Sequence, residues 1–159
     1  MTVSAIFACD ANYGIGKNND LPWERHEGDM LWFRNNTLNH VVVMGSKTWK
    51  SIGSKPLSKR INVVITNGDI EGNPDRIESG DFVSILNSLK KIYAGQNIFI
   101  IGGANIYGQA LPYCDSVFMT KFKETYDCDT YIDSDMLKPF FKMAEKVSDD
   151  AEFFIMKRI

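Results

Sequence analysis

Two short runs constrain this chain more than anything else in it. Val41-Val42-Val43-Met44 and Ile98-Phe99-Ile100-Ile101 are apolar at every position, and each leads straight into glycine and a helix start. A strand without polar alternation is buried on both faces, as in a parallel sheet covered by helices on either side. Thr2 to Cys9, Ile61 to Thr66 and Val117 to Phe122 read as further strands. Helical segments are expected at roughly Glu27 to Leu38, Lys47 to Ile52, Phe82 to Tyr93 with Asp81 as N-cap, and after Gly103 to about Leu111. Phe141 to Val147 and Glu152 to Lys157 read as a hairpin turning at Ser148 to Ala151, and Asn67 to Ser79 reads as mostly loop. The expected fold class is α/β in three layers: a mainly parallel central sheet of about eight strands flanked by helices, with an antiparallel C-terminal hairpin.

Length and charge narrow the function. The 159 residues fit one domain, 1–159. Lys plus Arg is 18 against 20 for Asp plus Glu, a net charge of −2, so the basic excess of a general nucleic-acid binder is missing. Met1 to Asp10 lacks a basic start, and no apolar stretch reaches the ~20 residues of a membrane span, so no secretory leader and no membrane partner are expected. Cys9, Cys114 and Cys128 form no Cys-x-x-Cys pair and read as free thiols in a reducing cytoplasm. His26 and His40 have no partner at metal-ligand spacing, so no metal site is expected.

Four constellations carry chemistry. Asp10 to Pro22 is rich in turn formers (Gly14, Gly16, Asn18, Asn19, Pro22), and so long a connection is more often functional than passive. Ile101-Gly102-Gly103-Ala104 and Met44-Gly45-Ser46-Lys47-Thr48 share one layout, in which bare backbone and helix-start N–H groups suit phosphates. A plain tight turn at the first, and Thr48 as a simple cap at the second, are the alternatives. Asp29, Met30 and Phe33 share one helical face, which places a carboxylate among large apolar side chains. Such a carboxylate can accept two parallel N–H bonds from a flat amidine-like ligand, unless it is merely solvated. Arg60, before a strand and after Pro56-Leu57, suits a carboxylate on a ligand.

Taken together the motifs resemble those of dihydrofolate reductase, over essentially the whole chain. They are Ile15-Gly16, Leu21-Pro22-Trp23, Asp29 with Trp32-Phe33, Met44 to Trp49 with Ser51-Ile52-Gly53, Arg60 to Thr66, Ile101 to Tyr107, and Thr120, in that order. The resemblance implies that NADPH delivers hydride to C6 of dihydrofolate while N5 gains a proton, in a monomeric cytoplasmic enzyme open to antifolate inhibitors. It implies Asp29 as the proton-handling carboxylate, with Trp23, Tyr107 and Thr120 around it. The substrate positions carried over are Ile6, Ala8, Asp29, Met30, Phe33, Ile52, Lys55, Leu57, Arg60, Ile101 and Thr120, with Arg60 on the glutamate α-carboxylate. The cofactor positions are Ala8, Ile15, Gly16, Lys17, Asn18, Asn19, Asp20, Leu21, Gly45, Ser46, Lys47, Thr48, Thr66, Asn67, Gly102, Gly103, Ala104, Asn105, Ile106, Tyr107 and Gln109. The same resemblance implies an adenosine-binding subdomain at approximately 40–90 and a cis Gly102–Gly103 bond. The loop from Asp10 to Trp23 would be a mobile lid, with Asp129 as its partner.

Departures from the family pattern sharpen the test. One extra position separates Trp23 from Asp29, with Gly28 between, which leaves Glu27 as a fallback acid. Ser46 stands where an arginine often meets the 2′-phosphate of NADPH, and Lys47 is the substitute. The C-terminal hairpin turn is short. A related pyrimidine reductase and a non-catalytic binding protein on the same fold are the competing readings.

Overall fold

The computed structural model describes residues 1–159. In chain order its strands and helices are β1 (Val3–Cys9), β2 (Gly14–Gly16), α1 (Glu27–Thr37), β3 (Val41–Gly45), α2 (Ser46–Ser51), β4 (Ile61–Ile65), β5 (Arg76–Glu78), α3 (Phe82–Ile92), β6 (Ile98–Gly102), α4 (Ala104–Ala110), β7 (Ser116–Phe122), β8 (Thr130–Tyr131), β9 (Phe140–Val147) and β10 (Ala151–Arg158). The main sheet has eight strands in the order β5-β4-β3-β6-β1-β7-β10-β9. Pairing is parallel from β5 to β7, and antiparallel from β7 to β10 and from β10 to β9.

Period-two alternation sorts the apolar side chains onto two faces. Val3, Ala5, Phe7 and Cys9 of β1, Val41 and Val43 of β3 and Ile98 and Ile100 of β6 join α3 and α4 in one core of 24 buried residues. On the other face Ile6, Val42, Met44, Val64 and Phe99 pack with Trp49 of α2 in a cluster of only six, against which Trp32 and Phe33 of α1 rest. That thinner face is the one a cleft opens.

Two elements differ from the sequence expectation. Residues 67–79 contain β5, a three-residue strand on the sheet edge paired in parallel with β4. Its Arg-Ile-Glu sequence has no buried residue, because an edge strand needs only backbone hydrogen bonds and here adds an Arg76–Glu78 ion pair. Within residues 10–22, Gly14–Gly16 pairs with Thr130–Tyr131 as a separate two-stranded sheet. No helix is long and apolar enough to cross a membrane. Cys9, Cys114 and Cys128 are free, and burial pushes the Cys9 and Cys114 thiols up to about 12.

Candidate active site

A cleft of ≈ 1070 Å³ lies between α1, the C-terminal ends of β3 and β6, and the loop around β2. The position is the usual one for a ligand in an open α/β sheet, outside the carboxyl ends of the strands.

α1 supplies one wall. Asp29 lies in its first turn with the side chain half-buried against the cleft. Burial raises its pKa, while the Thr120 hydroxyl and His26 favour the charged form. Thr120 Oγ1 is fully buried in β7 and completes no hydrogen bond, so Asp29 has no firm side-chain partner. Met30 and Leu31 are 43% and 58% exposed, and with Phe33 they make this wall apolar. Glu27 also touches the cleft but is exposed and bonded to Arg25 at 2.9 Å. The fallback acid is therefore a solvated rim charge, whereas Asp29 lines the cleft half-buried despite the extra residue after Trp23.

The far end of the same wall is cationic. Arg60 Nη1 donates to Thr37 Oγ1 at 3.1 Å, its Nε donates to the Ser58 carbonyl at 3.0 Å, and the guanidinium lies 5.9 Å from the Phe33 ring centroid. Partial burial and the neighbouring Arg34 both press its pKa down. No carboxylate pairs with Arg60 or Arg34.

The sheet end supplies the opposite wall. Gly102–Gly103 is a cis peptide and Gly102 has φ +130°, a region that disfavours any side chain. A Cβ at Gly102 would come within 3.1 Å of Thr48 Oγ1, so the Thr48 side chain rests on the bare backbone of the other turn. Gly45 and Gly103 cap α2 and α4 without any side-chain hydrogen bond. Thr48 lies inside α2 and is not its cap. Tyr107 lines the cleft, and its buried hydroxyl donates to the Ile6 carbonyl at 2.8 Å, tying α4 to β1.

The loop ahead of α1 covers the third side. Lys17 and Asp20 exchange backbone bonds of 2.9 and 3.0 Å around Asn18 and Asn19, both with positive φ, which makes a tight two-residue turn. Asn18 N–H donates to Asp129 Oδ2 at 2.9 Å, Asp129 N–H donates to the Gly16 carbonyl at 2.9 Å, and Lys17 lies 3.4 Å from Asp127. Below them the buried Asp10 carboxylate accepts from the N–H groups of Asn12, Gly14 and Tyr126.

Most of the expected site residues meet in this cleft: Ile6, Ala8, Ile15, Gly16, Asn19, Asp20, Leu21, Asp29, Met30, Phe33, Gly45 to Thr48, Ile52, Leu57, Arg60, Ile101 and Gly102 to Tyr107. Lys17, Asn18, Lys55, Thr66, Asn67 and Gln109 lie outside its lining, and Thr120 sits behind it. Trp23 is buried against Phe122 and Tyr126, with its indole N–H unpartnered. Leu31 and Arg34 line the cleft without having been singled out from the sequence. Glu27, Met30, Leu31 and Arg34 fall at i, i+3, i+4 and i+7, so helical spacing would have found the missed pair on α1.

Known proteins resemble this chain in sequence and fold. A family model described as dihydrofolate reductase matches residues 2–154. A dihydrofolate reductase of Bacillus subtilis is 40% identical over 131 residues, 81% of this chain and 74% of that protein. One of Buchnera aphidicola is 37% identical, covering 89% of this chain and 85% of its own. A solved structure of dihydrofolate reductase from Enterococcus faecalis, complexed with NADP(H) and RAB-propyl, superposes with a TM-score of 0.85 at 27% identity, over 99% of this chain and 96% of that one.

Proposed function

The chain belongs to the dihydrofolate reductase family, and from the layout of its cleft we propose how its residues divide the reaction among them. The reaction is the NADPH-dependent reduction of dihydrofolate to tetrahydrofolate, by hydride transfer to C6 and protonation of N5, in support of one-carbon metabolism and thymidylate synthesis.

One observation carries the assignment. Asp29 is the only cleft carboxylate that is both half-buried and free of a cationic partner, since Glu27 and Asp20 are exposed. It accepts the amino and ring N–H edge of the pterin, a flat pair of donors matched to two carboxylate oxygens. Burial raises its pKa, so it holds a proton more readily than an exposed carboxylate does, which favours the N5-protonated substrate. Thr120 lies behind it without fixing its orientation, and Trp23 packs beside that layer. Ile6, Ala8, Met30, Phe33 and Ile101 enclose the pterin and exclude water. Ile52 and Leu57 hold the benzoyl ring, with Lys55 near its outer edge. Arg60, unpaired and half-buried beside Arg34, binds the glutamate α-carboxylate as a fixed fork.

The opposite wall fits a dinucleotide. The uncapped starts of α2 and α4 leave N–H groups for phosphate oxygens, and the glycines let the ligand reach the backbone. Bound there, NADPH supplies the hydride. Lys47, exposed and without an ion pair, meets the 2′-phosphate with Ser46 and Thr48. Gly45, Gly102 to Tyr107 and Gln109 hold the diphosphate side, and Thr66 and Asn67 the adenosine side of a subdomain spanning about 40–90. Ile15 to Leu21 close over the nicotinamide as a lid fastened by Asp129. The enzyme works as a cytoplasmic monomer without nucleic-acid or membrane partners.

Nicotinamide absorbance, followed with purified protein, NADPH and dihydrofolate, tests this. Wild type is expected to consume both substrates and Asp29→Asn to lose most of that rate at neutral pH. Wild-type rates in the variant would remove Asp29 from the chemistry, and an inactive wild type that still bound NADPH would mean a fold retained without this reaction.

A further inference from the structure

His26 takes no part in the chemistry above, yet it is bonded at both ring nitrogens. It is the N-cap of α1, where Nδ1 accepts the Asp29 N–H at 3.0 Å. Its Nε2 lies 2.9 Å from Asp150 Oδ2, in the turn between β9 and β10. A nitrogen that accepts an N–H carries no proton, so the ring proton is on Nε2 and is donated to Asp150.

Both ends of this bridge are fixed. The ring packs edge-on to Phe122 at 5.1 Å and against Phe153 at 6.4 Å. Asp150 Oδ1 accepts the Ser148 hydroxyl at 3.2 Å, and the Asp150 carbonyl accepts Lys123 N–H at 3.0 Å. Gly28 leaves the ring just enough room, since a Cβ there would stand 3.0 Å from His26 Cε1 and 3.5 Å from Phe153 Cζ. The Asp29 carboxyl completes no hydrogen bond to a side chain, so its place in the cleft is set by its backbone, and His26 holds that backbone.

We propose that His26 is a positioning residue for Asp29, clamping the first turn of α1, and with it the reactive carboxyl, to the C-terminal hairpin turn. The inference rests on the role given to Asp29 above. Asn and Gln separate the two halves of the clamp. Asn presents an acceptor where Nδ1 stands and keeps the cap, whereas Gln reaches toward Asp150 and gives up the cap.

The test measures dihydrofolate turnover, together with equilibrium binding of a diaminopyrimidine antifolate and of NADPH. His26→Gln is expected to raise KM for dihydrofolate and Kd for the antifolate about fivefold, the scale of a lost helix cap. NADPH affinity should stay unchanged, which also reports a folded chain. His26→Asn should restore most of both losses. Asp150→Ala, which releases the anchor and leaves the cap, should weaken the antifolate about twofold, the scale of an exposed polar pair. A wild-type His26→Gln, an equally damaged His26→Asn, or a wild-type Asp150→Ala would each overturn the clamp. Turnover indifferent to Asp29→Asn would instead overturn the role of Asp29.

Discussion

Helices α1 and α3 are both 11 residues long, and both begin on a side-chain cap, His26 in one and Asp81 in the other. α3 buries Phe82, Ile85, Leu86 and Leu89, whereas α1 buries only Thr37. Those four apolar residues of α3 recur at helical spacing and make a stripe that the sheet covers. Those of α1 are consecutive, Met30 to Phe33, and therefore spread around the helix. Trp32 and Phe33 rest on the core and Met30 and Leu31 stay exposed at the cleft. Helix α3 thus holds the sheet, while α1 offers apolar surface and one poorly partnered carboxylate to a ligand. The two faces of one sheet divide stability from chemistry, and each helix carries the residues to test that division.

Asp29→Asn should separate the two most sharply. On α1 it is expected to lower kcat/KM by about two to four orders of magnitude at neutral pH, the range of general acid–base catalysis. The loss should shrink at acid pH, where the substrate arrives already protonated. Stability should move the other way. The folded pKa of Asp29 is raised, so the folded state binds its proton more tightly than the unfolded chain does. That stabilisation is present below the ordinary carboxylate range and is lost as pH rises through the raised value. The neutral amide escapes this loss, so the variant should melt no lower than wild type at neutral pH, as thermal unfolding would show.

Leu89→Ala on α3 should do the reverse. The side chain is 1% exposed in the larger core, and its truncation is expected to cost about 2–5 kcal/mol in denaturant unfolding. The kcat of the remaining folded enzyme should be unchanged. A large fall in kcat would show that α3 reaches the chemistry after all.

Arg60→Leu probes the cationic end of the α1 wall. Removing hydrogen bonds to a buried-edge carboxylate should raise KM for dihydrofolate about 10- to 100-fold. A tail-less diaminopyrimidine should bind as before, and equal losses for both ligands would place Arg60 in folding. The smallest effect is expected from Asp81→Ala. It removes the cap on Ser84 N–H at 3.0 Å and should cost about 1 kcal/mol of stability, with ligand affinities untouched. Against it, the cap on α1 should be felt in binding.

Much of this was legible before the structure. The runs at Val41 and Ile98 announced a doubly covered sheet because side chains buried on both faces leave no polar alternation. Asp29, Arg60 and the glycine turns stood out because each residue type is unusual in its local pattern. Strand β5 and the pair of β2 with β8 left no such trace, since an exposed ladder is stabilised by backbone groups common to every residue.

What the sequence determined by itself is local: where strands end in glycine, which helix carries a carboxylate between apolar neighbours, and which loop is rich in turn formers. Tertiary structure alone decided the partnerships. It set Arg34 beside Arg60 and Asp150 against His26 at a separation of 124 residues, while Thr120 near Asp29 and Asp129 beneath Asn18, 111 residues apart, had been expected only through the family resemblance. Hydrophobic periodicity encodes which face of an element is buried, but not which distant polar atom will meet it. Those meetings follow from strand order and register, which come into being only when the sheet is assembled.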